Sequence, residues 1–263
     1  MYEFIPQIMR EASKIMLSAH DIDTAITEKS GDANFVTAYD VAVEEFLFAE
    51  LKKHLPDAVI IGEESDDNHM ELLNSSLALI VDPIDGTTNF IHNYRTSCIS
   101  VGICDHGKMA YGAVYNPYMD ILYRAERGCG AFMEIGGRAV PMHVSDRHLA
   151  DSLTAYGTSP YYREELGRKT FETSWALFQA TRDIRRSGSA ALDLAAVASG
   201  SVDIFFECRL SPWDIAAGSL LIEEAGGVIT QFDGSPITFE APCPIAAGNP
   251  VALREAMERG IFG

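Results

Sequence analysis

The chain has 263 residues, 47% of them hydrophobic, and carries 38 acidic against 20 basic side chains for a net charge of −18. That length is enough core for one large domain or two small ones, and so acidic a balance argues against nucleic acid as a direct partner, because phosphate contacts need lysine and arginine. No apolar run approaches the ~18–20 residues of a membrane span, the opening MYEFIPQIMREAS lacks the basic and apolar regions of a signal peptide, and the five cysteines form neither a CxxC pair nor a disulfide framework, which together point to a reducing cytoplasm.

Residues 3–19 place Phe4, Ile5, Ile8, Met9, Ala12, Ile15, Met16 and Ala19 on one helical stripe. A second helix is predicted over 41–54, and AVIIG (58–62) and LALIVD (77–82) are short buried strands. From 96 to about 135 the pattern turns alternating and rich in β-branched and aromatic residues, with Gly, Asn and Pro at the breaks, which predicts an antiparallel meander. Beyond 140, helices are predicted near 163–179, 189–199, 213–225 and 249–259, with strands near 152–156, 202–206 and 227–231. The mixture implies stacked helix and sheet layers. The weakest link between the halves lies at 136–150, within what reads as one domain over 1–263.

The stretch IVDPIDGTTNF (80–90) carries most of the chemistry. Asp82 and Asp85 close an apolar strand, and two acids so near each other are costly to desolvate unless something positive sits between them. In a continuous strand they would face opposite ways. Pro83 cannot continue a central strand, so a turn is predicted that brings both carboxylates, and the Ile84 carbonyl, to one point. Gly86 allows a sharp bend, and Thr87 and Thr88 can begin a short helix whose amides attract an anion. The loop thus offers oxygen ligands for a hard cation such as Mg²⁺; the alternative is an Asx-type turn with solvated acids.

Glu63 and Glu64 end a second buried strand. Asp214, in SPWDIAAG (211–218), opens an apolar helix, where N-cap duty is its simplest role. Asp40 closes a Thr-x-x-Asp capping-box pattern at 37–40. Lys29 sits in a polar stretch.

Together GEES (62–65), DPIDGTTNF (82–90), GSAALDLAAVASG (188–200), WDIAAG (213–218) and EAGGVI (224–229) resemble the inositol monophosphatase family, in order and spacing, over about residues 3–258. The resemblance implies an α+β fold layered αβαβα, a homodimer, and Mg²⁺-dependent, lithium-sensitive hydrolysis of a phosphate monoester. It assigns Glu63, Asp82, Asp85, Asp214 and the Ile84 carbonyl to two or three Mg²⁺ ions, and Gly86 and Thr87 to the phosphate. Thr87 and Asp40 match the pair that orients the attacking water, Lys29 a lysine at the site's mouth, and Ala190 and Glu207 contacts to an inositol ring; Asp85 and Asp214 also face the substrate. Water activated by the metal attacks directly in this scheme, without a phosphoenzyme.

Three rivals remain. Phosphatases with an aspartyl nucleophile use D-x-D-G-T, one residue shorter than D-x-x-D-G-T here. Relatives act on fructose 1,6-bisphosphate, 3′-phosphoadenosine 5′-phosphate, histidinol phosphate or NADP; Glu207, seven residues before Asp214 and just past the strand VDIFF, favours inositol phosphate, whereas Arg209 can serve a second anionic group. The last rival is a binding or regulatory protein that kept the scaffold without its chemistry.

Overall fold

The computed structural model describes residues 2–20, 26–28, 35–65, 73–74 and 76–263. Helix α1 (Ile5–Leu17) buries the stripe Ile5, Ile8, Met9, Ala12 and Met16. A two-stranded antiparallel pair, β1 (Ile26–Glu28) and β2 (Phe35–Thr37), leads into α2 (Ala38–His54). α2 starts three residues earlier than its apolar pattern indicates, because Thr37 and Asp40 close a capping box ahead of it. Its buried stripe, Asp40, Val43, Glu44, Leu47 and Leu51, contains two carboxylates at the N-terminal end.

A seven-stranded sheet follows in chain order: β3 (Val59–Gly62), β4 (Leu77–Asp85), β5 (Cys98–Asp105), β6 (Lys108–Asn116), β7 (Ile121–Glu126), β8 (Gly130–Ile135) and β9 (Arg138–Pro141). β3 and β4 are parallel and every later neighbour is antiparallel, as the meander pattern implies. Strand alternation splits the side chains. Leu79 and Val81 pack with α1 and α2, whereas Ala78 and Ile80 face the opposite layer. The short helix α3 (Thr87–Ile91) leaves the end of β4.

The second half contributes β10 (Leu153–Tyr156), α4 (Arg163–Ala180), β11 (Asp183–Arg185), α5 (Ala190–Ala198), β12 (Ile204–Leu210), α6 (Pro212–Glu224), β13 (Val228–Thr230), β14 (Cys243–Gly248) and α7 (Pro250–Glu258). Its sheet has the order β11-β10-β12-β14-β13. Helices α5 and α6 lie between the two sheets, and α4 and α7 cover the outer face of the smaller one. The layers therefore run α1/α2, large sheet, α5/α6, small sheet, α4/α7, which is the αβαβα arrangement.

α6 sits unusually close to the large sheet. Gly102 and Gly112 are register partners on β5 and β6. A Cβ on Gly102 would lie 2.9 Å from Ala216 Cβ, and one on Gly112 would lie 2.6 Å from the Ala217 carbonyl oxygen. This glycine pair lets α6 lie on the sheet with its N-terminus beside the end of β4. On β12, Ile204 and Phe206 join the outer cluster while Phe205 faces α5 and α6, so Glu207 shares the inner face with Phe205.

The predicted helices are all found among the described residues. β9, β11 and β14 carry no alternating pattern that marks them in the sequence; β14 (CPIAAG) has one β-branched residue and is nonetheless paired on both sides. Its small residues suit its place: a Cβ on Gly248 would lie 2.6 Å from the carbonyl oxygen of Asp203, the residue that leads into β12. No helix among the described residues is long and apolar enough to cross a membrane, and all five cysteines are free.

Candidate active site

Pro83 does not end the strand. β4 runs on to Asp85 and pairs with β5 on both sides of the proline, Asp82 opposite Ser100 and Asp85 opposite Cys98. Three steps along β4 thus match two along β5, a β-bulge in place of the predicted turn. A bulge tolerates the missing proline N–H and reverses the strand's alternation. Ile84 faces the α1/α2 side with Leu79 and Val81, and Asp82 and Asp85 share the other face. The extra residue is what brings the two acids together.

α6 supplies the third acid from the same side. Asp214 is not its N-cap, as the sequence suggested: Ser211 holds that position, and Asp214 is the third residue of a capping box, its Oδ2 accepting the Ser211 N–H at 2.6 Å. Ligand oxygens of Asp82, Asp85 and Asp214 all lie within 4.8 Å of one another. Asp85 Oδ2 accepts from the Ala191 N–H at 2.9 Å and from the Ser189 hydroxyl, so the N-terminus of α5 fixes its orientation. Asp82 Oδ1 is buried with no partner among the described residues. Glu63 leaves the end of β3, its N–H donating to the Val81 carbonyl at 3.3 Å, and lines the same cleft.

Burial first, then the charges of Glu63, Asp85, Asp214 and Asp40, push the Asp82 carboxyl well above the usual carboxylate range. Asp214 is driven up by burial and by Glu63 and Asp85. Asp85 also rises through burial, against the hydrogen bonds from Ser189, Ala191 and Ala190. A cluster that resists ionisation on its own, made only of oxygen donors and containing an orphaned buried oxygen, has the chemistry of a hard-cation site.

Beside it, Gly86 takes a left-handed conformation (φ +88°), and a Cβ there would lie 3.0 Å from the Thr96 carbonyl and 3.1 Å from that of Gly188. Glycine is needed on both counts. It lets the chain enter α3, which begins at Thr87. Thr87 Oγ1 lies 3.3 Å from Asp40 Oδ1 and 3.1 Å from the Ile84 carbonyl, so its single proton has two acceptors. Asp40 Oδ2 is held by the Thr37 N–H at 2.8 Å, which leaves Oδ1 to Thr87. Asp40 is fully buried, and burial raises its pKa to about 6.

The cleft above these groups has a volume of about 420 Å³. Ala190, the first residue of α5, lines it with Glu207. Glu207 lies within β12 and not past its end. It is buried, accepts the Ser159 N–H at 2.7 Å and the Ser159 hydroxyl at 3.2 Å on Oε1, and is raised by burial to about 7. Lys29 falls outside the described residues.

Sequence reasoning missed several lining groups. Asp193 is raised to about 8, mainly by burial. Tyr161 lines the cleft, and its phenol is pushed up by burial and by the charges of Glu63, Asp214, Asp82 and Asp85. Arg186 is a further cation of the cleft wall; Arg209, which the sequence did mark as able to serve a second anionic group, lines it too. Ser189, ahead of an apolar helix, bears a cap signal that points to α5 but not to Asp85.

A model of the inositol monophosphatase family matches residues 1–260. The chain is 38% identical over 228 residues to an inositol-1-monophosphatase of Mesorhizobium japonicum, covering 87% of this chain and 83% of that protein. It is 35% identical over 246 residues to the Nus factor SuhB of Escherichia coli K12, covering 93% and 90%. The crystal structure of the extragenic suppressor protein suhB from Bartonella henselae superposes with a TM-score of 0.87 at 34% identity, covering 98% of this chain and 97% of that one.

Proposed function

This chain belongs to the inositol monophosphatase family, and on that premise we propose that it hydrolyses a phosphate monoester in a Mg²⁺-dependent reaction, with inositol 1-phosphate as its preferred ester. The reading rests on the convergence of Asp82, Asp85 and Asp214, with the Asp82 Oδ1 atom buried and unpartnered among the described residues. Glu63, Asp82, Asp85, Asp214 and the Ile84 carbonyl would hold two or three ions. Bound there, Mg²⁺ supplies positive charge for a dianionic phosphate and lowers the pKa of water.

The protein's own groups do the positioning. With the Thr87 hydroxyl donating to Asp40 Oδ1, its oxygen is left to accept from a water molecule and aim it at phosphorus. No side chain is phosphorylated. The Gly86 and Thr87 amides donate to phosphoryl oxygens. Asp85, Asp214, Ala190 and Glu207 contact the alcohol; with Oε1 held by Ser159, Glu207 keeps Oε2 for a polyol hydroxyl. Lys29 is assigned to the mouth of the site and Glu63 to the water side of the ions. Lithium opposes Mg²⁺ near Asp214.

A second reading of the substrate is favoured by one observation. Arg186 and Arg209 both line the cleft, and neither is ion-paired to a carboxylate among the described residues. Arg209 lies over the Tyr162 ring, 4.5 Å from its centroid. Two available guanidinium groups suit an ester with a second anionic group, such as fructose 1,6-bisphosphate or 3′-phosphoadenosine 5′-phosphate. Self-association is supported by α4, where Phe171, Trp175 and Phe178 form an outward stripe, 61%, 59% and 46% exposed.

The experiment is phosphate release with and without Mg²⁺ across inositol 1-phosphate, 2-glycerophosphate, the two bisphosphates, histidinol phosphate and NADP. Highest kcat/KM on inositol 1-phosphate supports the first reading, and on a bisphosphate the second. No Mg²⁺-dependent release from any ester would leave only a binding protein on this scaffold.

A further inference from the structure

Helix α2 buries two carboxylates one turn apart, Asp40 and Glu44. Glu44 is 5% exposed. A buried carboxylate is costly unless hydrogen bonds meet its oxygens. Glu44 finds donors in the loop that follows β3: Oε2 accepts the Glu64 N–H at 3.0 Å, and Oε1 accepts the Ser65 hydroxyl at 2.9 Å. Gly62, the last residue of β3, makes room for this carboxylate, since a Cβ there would lie 2.3 Å from Glu44 Oε2.

Glu63 lies between these fixed points. On its N-terminal side, Gly62 is a register partner of Val81, and the Glu63 N–H donates to the Val81 carbonyl. On its C-terminal side, Glu64 and Ser65 are tied to Glu44. The backbone on both sides of Glu63 is thereby pinned to β4 and α2, the two elements that also position Asp82, Asp85 and Asp40. Asp40 holds the Thr87 loop and Glu44 holds the Glu63 loop. One rigid helix sets both acid-bearing strand ends relative to each other.

We propose that Glu44 is a positioning residue that fixes Glu63 for cation binding while touching neither ion nor substrate. The inference rests on the proposed Mg²⁺ site. Removing groups that orient a metal ligand typically weakens metal affinity roughly 10- to 100-fold, and here the loss should fall on affinity more than on turnover once the ions are bound.

The test uses the full chain and two variants. Glu44→Gln keeps the volume of the side chain but turns one acceptor into a donor. Ser65→Ala removes the hydroxyl that donates to Glu44 Oε1 and leaves helix α2 unchanged. Mg²⁺ is titrated without substrate, followed by melting temperature and by calorimetry, and again with substrate by phosphate release. Glu44→Gln is expected to raise the Mg²⁺ concentration for half-maximal stabilisation by roughly tenfold or more, with kcat at saturating Mg²⁺ within about threefold of wild type. Ser65→Ala should shift the same midpoint in the same direction by a smaller factor. A merely structural Glu44 would lower the metal-free melting temperature and leave the Mg²⁺ midpoint unmoved, and that result in both variants would overturn the proposal. If wild type itself shows no Mg²⁺-dependent stabilisation, it is the cation site that fails, an outcome distinct from the failure of Glu44.

Discussion

Ser189 and Asp85 stand 104 positions apart in sequence, and the hydroxyl that caps helix α5 also donates to Asp85 Oδ2. With the Ala191 N–H on the same oxygen, Asp85 is left with Oδ1 to offer the cleft. One serine thus links the start of a helix between the sheets to an acid at a bulge in the large sheet. Replacing it loosens both.

Ser189→Ala should cost about 1 kcal/mol of stability through the lost cap, a fall in melting temperature of roughly 2–4 °C for a chain of this size. It should also weaken Mg²⁺-dependent stabilisation, because the remaining Ala191 N–H holds Asp85 less firmly. Differential scanning calorimetry at several Mg²⁺ concentrations separates the two effects. A uniform fall at every concentration would mean that Ser189 acts only as a cap.

Asp82→Asn should behave oppositely in the two metal states. The native carboxyl is buried, repelled by its neighbours and short of a partner for Oδ1, so neutralising it should raise the metal-free melting temperature. The same change should abolish the Mg²⁺-induced rise and reduce turnover by orders of magnitude, as should Asp85→Asn and Asp214→Asn. Near-normal turnover in Asp214→Asn would remove α6 from the site. Single-turnover hydrolysis in ¹⁸O-water should place the label directly in phosphate; label in an aspartate side chain would restore the aspartyl-phosphate rival.

The metal-free protein should be more stable at pH 5 than at pH 8. Asp40, Glu207 and Asp193 titrate near 6, 7 and 8 in the folded state, against about 4 in an unfolded chain. Each binds its proton more tightly when folded, so stability is lost as pH rises from about 4 through these values. Asp183 and Glu255 are lowered by Arg185 and His148 and oppose the trend only as pH falls below about 4. Mg²⁺ favours ionised acids and should flatten the slope. A melting temperature that rises from pH 5 to pH 8 without metal would contradict this account.

Glu207→Ala should discriminate between esters. A hydrogen bond to a charged group is worth about 1.5–3 kcal/mol, so kcat/KM on inositol 1-phosphate should fall roughly 10- to 150-fold. Hydrolysis of 2-glycerophosphate, with few hydroxyls to offer, should change little. Equal losses on both would show that Glu207 serves only to hold Ser159, and would remove the main reason for preferring a polyol ester.

Much of this protein is local in its sequence. Apolar spacing marks the core-facing stripe of α1, Thr37 with Asp40 marks a capping box, and Glu63, Asp85 and Asp214 each stand at or next to the end of an element. Short-range propensity and periodicity depend on neighbours within a turn or two, so they can be read without a fold. What the acids do to one another cannot. Pro83 forbids a regular strand, but whether the chain turns or bulges there was settled by pairing with β5, which holds Asp82 and Asp85 on one face. The place of Asp214 depends on Gly102 and Gly112 admitting α6 to the sheet. Glu44 reads as one acid among many on a helix until the 63–65 loop folds over it. β14 has no β-branched pattern, because its environment between two strands selects small side chains instead. The sequence by itself determined which residues can carry charge at element ends; tertiary structure decided which oxygens face each other, because a carboxylate's partners across a hundred residues are chosen by strand register and helix packing.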